Sequence, residues 1–140
     1  MLFERNNKII QFCSEAMDLE GQGRREEAYL LFQRAWNEST SDVEKFTSAH
    51  YVARHQKTTA NKLIWDETAL QFALKIKSDE IREVFPSLYL NIAKCHEDLN
   101  DLHNARNNYT LAFSFLSFLP DNGYGNLIKC GVLNGLERVK

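Results

Sequence analysis

Apolar residues recur along this chain at spacings of three and four, the mark of helices that each bury one stripe, and no sustained two-residue alternation interrupts them. The first stripe is Ile9, Phe12, Cys13, Ala16, Met17 and Leu19, on a helix expected from about Phe3 to Gly21. Gly21-Gln22-Gly23 ends it, because glycine enters the left-handed cap conformation at little cost. A second helix is expected over about 24–38, with Glu26 and Glu27 in its positive first turn and Ala28, Leu31, Phe32, Ala35 and Trp36 on its apolar face. Ser41-Asp42-Val43-Glu44 fits a capping box for a third helix, which reaches about Gln56 and carries Phe46, Ala49, Val52 and Ala53. A fourth, capped by Thr58 or Thr59, reaches about Ile76, with Leu63, Ile64, Ala69, Leu70, Phe72 and Ala73 on its buried side. Pro86 either starts a fifth helix or kinks one begun at Asp79. That helix continues to Leu99, and a sixth spans about 101–118. The Pro120-Asp-Asn-Gly-Tyr-Gly125 stretch is a break, and a seventh helix follows with Leu127, Ile128, Val132, Leu133, Leu136 and Val139. Seven helices on short connections imply antiparallel neighbours in an all-α domain.

The chain also matches itself at an offset of 77 residues. Ala16 meets Ala93, Glu20 meets Glu97, Ala28 meets Ala105, Phe32 meets Tyr109, Ala35 meets Ala112 and Trp36 meets Phe113. Small residues recur where two helices cross closely, and a ring recurs where the space between them must be filled. Two repeats of about 34 residues leave about nine spare, so the middle unit is expected to be enlarged, around residues 55–61.

These residues resemble the tetratricopeptide repeat. Its Ala-x3-aromatic-x2-Ala pattern stands here as Ala28, Phe32, Ala35 and again as Ala105, Tyr109, Ala112, with Ala16 or Ala93 on the preceding helix and Gly23-Arg24 or Asn100-Asp101 at the turn. The usual Leu-Gly pair is absent, no proline follows the first unit, and the middle unit offers only Ala49 and Ala69 as small positions. Segments such as 49–56, 65–70, 87–92 and 121–125 are similar to a small group of free-standing bacterial proteins of this kind without an agreed function. The resemblance implies a right-handed superhelix of about three antiparallel hairpins, with units near 8–40, 41–77 and 79–118, closed by a capping helix near 122–139. It also implies a concave face that holds a protein or peptide.

Composition narrows the classes. The 140 residues are 44% hydrophobic and 26% charged with a net charge of −2, so no overall field favours nucleic acid or an anionic membrane. No stretch approaches the roughly 18 apolar residues of a membrane span, and the N-terminal residues lack the apolar run of a signal peptide, so the chain reads as cytoplasmic. Cys13, Cys95 and Cys130 lie far apart within apolar stripes, where a free thiol behaves as a small hydrophobe.

Carried onto the matching units, the resemblance places Cys13, Met17 and Glu20, and Ser87, Leu90, Lys94, Glu97 and Asp98, along the groove. In the middle unit His50 and Arg54 share one face, four residues apart. The favoured reading is an adaptor that binds a partner through Glu20, His50, Arg54, Tyr89, Lys94, Glu97 and Asp98. One alternative is a small-molecule sensor or enzyme with a pocket near His50, Tyr51, Arg54, Tyr89 and His96. Another is a homodimer paired through a terminal hairpin. Gly131 and Gly135, four apart, would let the seventh helix pack closely on its neighbours or on another subunit. His50 and His55 point about 140° apart on a helix, and Cys95-His96 with His103 lacks a fourth ligand, so no metal site is expected. Gly123-Tyr124-Gly125 follows no strand and reads as a loop rather than a phosphate cradle. No nucleophile, base and orienting group come together in the sequence, so neither catalytic residues nor a cofactor are expected.

Overall fold

A computed structural model describes residues 2–140, and every regular element among them is helical. Seven helices follow in order: α1 (Lys8–Gly21), α2 (Arg25–Glu38), α3 (Asp42–Ala53), α4 (Thr59–Leu74), α5 (Phe85–Asp98), α6 (Leu102–Ser114) and α7 (Gly123–Arg138). Short 3-10 segments cover Asp79–Val84 and Leu116–Phe118.

Side-chain caps set most of the helix starts. Asn7 accepts from the N–H groups of Ile9 and Ile10, so α1 begins at Lys8 rather than at Phe3, and residues 2–6 are free to run elsewhere. The Asn7 amide donates in turn to Glu44 at 2.8 Å. Glu44 completes the capping box with Ser41 at the start of α3, so one carboxylate ties two helix N-termini together. Thr58 caps α4 through the Asn61 N–H. Pro86 lies in the first turn of α5, where its missing N–H costs nothing, and the residues before it form the separate 3-10 segment capped by Ser78.

The helices pack in consecutive pairs, α1 with α2, α3 with α4 and α5 with α6. Adjacent pairs meet through α3 against α1 and α2, and through α5 against α4, while α7 closes the far end against α5 and α6. The 77-residue match is physical. Ala16, Ala28, Phe32 and Ala35, and their counterparts Ala93, Ala105, Tyr109 and Ala112, are all fully buried. Among the described residues only Gly23 (φ 79°) and Asn100 (φ 61°) adopt positive φ, and they too stand 77 apart, each ending the first helix of its pair. Glu20 near the end of α1 is bonded by Arg54 at the end of α3, just as Glu97 near the end of α5 is bonded by Arg138 at the end of α7. α7 therefore stands to the third pair as α3 stands to the first.

Several expectations need correction. The nine extra residues of the middle unit fall mostly after α4, not around 55–61: the α3–α4 connection, 54–58, is two residues longer than its counterparts, and the α4–α5 connection, 75–84, is seven longer. Ile64 is 60% exposed, whereas Asp66, a polar residue, is buried on the same helix. Cys13 and Cys95 are buried, but Cys130 is exposed. Trp36 packs edge-on against Trp65 and Phe72 of α4, while its counterpart Phe113 is 51% exposed. No helix among the described residues is long and apolar enough to cross a membrane.

Candidate functional site

The capping box fixes the phase of α3, and with it the face that carries residues 46, 47, 50, 51 and 54 at helical spacing. This face borders a cavity of about 330 Å³. Phe46, Thr47, His50, Tyr51 and Arg54 form its α3 side, and four residues from distant segments complete it. Phe3 comes from the N-terminal segment, Val84 from the end of the 3-10 segment, Leu88 from α5 and Tyr124 from the first turn of α7.

Each wall has a local cause. The N-terminal segment is held where it is by the Leu2 N–H, which donates to Glu80 at 2.8 Å, and by the Phe3 ring lying 6.3 Å from that of Phe46. Tyr124 is placed by the cap of α7: the Asn122 side chain accepts from the Gly125 N–H at 2.9 Å. A Cβ on Gly125 would stand 1.9 Å from the Pro120 carbonyl oxygen, so only glycine permits this turn.

Aromatic rings run through the site as a continuous ladder. Phe46 lies 6.4 Å from His50, His50 meets Tyr51 at 5.3 Å with the rings steeply inclined, and Tyr51 stacks on Phe32 at 5.0 Å. His55 continues the series, 5.6 Å from Phe32 and stacked on Tyr29 at 5.4 Å. The Arg54 guanidinium sits 4.8 Å from the centre of the Tyr51 ring and donates to Glu20. The same Glu20 carboxylate contacts the buried His55 ring at 2.7 Å, so α1 and α3 are latched at their C-terminal ends.

His50 is the distinctive group of the cavity. Its Nδ1 is buried and has no hydrogen-bond partner. Burial, reinforced by the positive charges of Arg54 and Lys62, pushes its pKa down to about 4, so the imidazole is neutral near pH 7. Burial likewise raises Tyr51, which keeps its phenol protonated.

The other sequence candidates lie apart from the cavity. Tyr89 is buried in the core, stacked on Phe115 at 5.9 Å. Glu97 accepts from the Tyr109 hydroxyl at 2.7 Å and from Arg138 at 2.9 Å, in a knot joining α5, α6 and α7. Lys94 and Asp98 pair with each other at 2.5 Å on the exposed side of α5. His96 lies 3.6 Å from Asp101 and 4.0 Å from Glu67, lining a shallower depression with Gln71 and Asn108. The pocket expected near His50, Tyr51, Arg54, Tyr89 and His96 thus contains the first three and neither of the last two. Gly131 and Gly135 face Leu90 and Tyr109 of the same chain.

Two residues escaped the sequence reading. Tyr124 was hidden in a segment read as plain loop, and the glycines on either side were its only signal. Asp66 is 1% exposed, with Oδ2 bonded to Lys62 at 2.6 Å and to the Cys95 thiol at 3.5 Å, while Oδ1 has no partner. Burial raises its pKa against the pull of Lys62. Its one signal was the four-residue spacing from Lys62. Among the described residues no group of three or more His, Cys, Asp or Glu side chains is arranged to hold a metal ion.

No family model, curated protein or solved structure matches the chain.

Proposed function

We propose that the chain is a protein–protein or protein–peptide interaction module, whose three helix pairs and α7 form a superhelix of the tetratricopeptide kind. In that arrangement α1, α3 and α5 line the concave face, and the cavity against α3 is its anchoring point. The observation that carries this reading is the cavity itself: it lies on the first helix of a pair, where repeats of this kind meet their partners, and it is lined mainly by rings and aliphatic side chains. Its volume of about 330 Å³ suits one inserted side chain rather than a long stretch of peptide. The partner's remaining length would run over α1 and α5 outside it.

The test is affinity capture from a lysate of the source organism with the wild-type chain and with Phe3→Ala and Tyr124→Ala. Both residues are partly exposed walls, so the fold survives their truncation. Leu127→Ala, at a 71% exposed position that does not line the cavity, serves as the control. A partner retained by the wild type and the control but lost by the two wall variants supports the reading. Identical captures from all four proteins would overturn it.

A second reading, a small-molecule sensor, is favoured by one observation. Two groups with displaced titration, His50 and Tyr51, border the cavity, and its volume falls within the roughly 300–1,000 Å³ range of small-ligand sites. Native mass spectrometry of freshly isolated protein separates the two readings: a retained mass of a few hundred daltons supports the sensor.

A further inference from the structure

We infer that the chain pairs with a second copy of itself through the outer face of α7, the two α7 helices lying antiparallel across a twofold axis. The pairing goes beyond the interaction reading above and does not depend on it.

The first half of the chain indicates what this face receives. α3 and α7 occupy equivalent places at an offset of 84 residues: Arg54 and Arg138 reach Glu20 and Glu97, and Tyr51 and Gly135 lie against the rings of Phe32 and Tyr109. On α3, Phe46, Ala49 and Ala53 are buried, and the first two share a core cluster with Ala69 and Ala73 of α4. At the same offset on α7 stand Cys130, Leu133 and Glu137, and all three are exposed, Leu133 by 42%. Phe113, the counterpart of the Trp36 that packs on α4, is exposed as well. A helix laid along α7 as α4 lies along α3 would take this leucine and phenylalanine out of water.

The face fits a copy of itself. Asn126, Cys130, Leu133 and Glu137 form one exposed stripe, at steps of four, three and four. The steps read the same in both directions, so a copy turned end for end sets Cys130 on Leu133 and Asn126 on Glu137, twice over. That direction matches the fold, because the short connection 54–58 turns α4 back along α3. Charge selects it too. Exposed Lys129 lies three residues from Asn126, about 4.5 Å along the helix, and so comes within reach of Glu137 of the second copy. A parallel copy would set Lys129 beside Lys129 and Glu137 beside Glu137. In the single chain Glu137 pairs with Lys140, both side chains largely exposed, and such a pair holds it weakly.

Pairing leaves the α3 cavity open. Tyr124, which lines the cavity, is nine residues from Leu133 and therefore about 180° around α7 from the seam.

The test is size exclusion with light scattering on the whole chain, over a concentration series. The wild type is expected to rise from the monomer mass to twice that mass and stop. Leu133→Asp should remain monomeric wherever the wild type pairs. Lys129→Glu and Glu137→Lys should each weaken pairing by about threefold or more, and the double variant should restore it, since the charges have only changed places. Cys130 gives an independent reading. In the pair the two Cys130 residues are offset by three positions, about 4.5 Å along the axis, so a short bis-maleimide should join them while buried Cys13 and Cys95 stay unreacted. Dye labelling of Cys130 should be rapid in dilute solution and slow as the concentration rises into the pairing range.

A wild type that stays monomeric at high micromolar concentration overturns the proposal. So does a mass that keeps growing past the dimer, which marks a head-to-tail stack rather than a twofold pair. A dimer that survives Leu133→Asp, or a double charge variant no better than the single ones, overturns it as well. The charge exchange decides by itself if Leu133→Asp does not fold. Loss of pairing with partner capture still dependent on Phe3 and Tyr124 would sink this inference and spare the interaction reading. A dimer without cavity-dependent capture would do the reverse.

Discussion

Gly135 lies directly beneath the ring of Tyr109: a Cβ built on the glycine would stand 2.2 Å from Cε1 and 2.4 Å from Cζ. That contact lets α7 approach α6 closely enough for Arg138 to donate to the Tyr109 hydroxyl at 3.1 Å and to Glu97 at 2.9 Å. The ring is fully buried and held at its hydroxyl, so it cannot swing aside. Gly135→Ala is therefore expected to cost about 1–3 kcal/mol by overpacking, read as a lower midpoint in urea unfolding. Gly131→Ala makes the comparison. Its Cβ would stand 3.1 Å from a Leu90 methyl group, the end of a flexible side chain, and the cost should be markedly smaller.

The Glu97 knot predicts a response to acid. Hydrogen bonds from Arg138 first, and then from Tyr109, hold the Glu97 carboxyl below the usual glutamate range. A carboxyl with a lowered folded pKa contributes stability that is fully present above its unfolded pKa, near 4.3, and is lost as the pH falls through the folded value. Glu97→Gln should be less stable than the wild type at pH 6, and the difference should shrink below pH 4. Urea titrations across that range measure it, and a constant difference would contradict the assignment.

His50 contributes to the acid response with the same sign, in a higher pH window. Its pKa of about 4 in the folded chain lies below the ordinary value near 6.5, so stability is complete above pH 6.5 and falls as acid protonates the unfolded chain first. The loss between pH 6.5 and 4 is on the order of 3 kcal/mol at most, from about 1.4 kcal/mol for each unit of displacement. A His50→Gln variant should lack that portion of the acid slope. Ring-proton NMR gives the direct measurement: the His50 imidazole should remain neutral at pH 5, and a midpoint near 6.5 would refute this.

The thiols should separate cleanly. Burial pushes Cys13 up to about 12 and Cys95 up to about 11, while Cys130 is exposed on α7. A thiol-reactive dye at pH 8 is expected to label one cysteine rapidly in the native chain and the other two only on unfolding. Cys130→Ser should abolish the rapid phase.

Local chemistry in the sequence accounts for the helices because their caps are local. Ser41 with Glu44, Thr58, and the alanine and aromatic positions at the 77-residue offset act through neighbours a few residues away or through a repeated helix crossing. The cavity was legible only in part. His50, Tyr51 and Arg54 share one face of α3, which helical spacing reveals. Phe3, Val84, Leu88 and Tyr124 reach the same space from four separate segments, and no local pattern links them. Asp66 went unnoticed because periodicity gives no reason to bury a carboxylate. Lys62 and Cys95 give it partners that only the packed pairs bring near. The start of α1 was misplaced because Phe3 extends its apolar stripe, although Asn7 supplies the stronger stop.

Trp36 and Trp65, perpendicular at 5.1 Å, are the only two tryptophans in the chain, and both sit where the first helix pair meets the second. Intrinsic fluorescence excited at the red edge of indole absorption is thus a reporter of a single seam. It will register the separation of α2 from α4. An unfolding curve followed by emission and one followed by circular dichroism should coincide only if the two halves of the chain melt together.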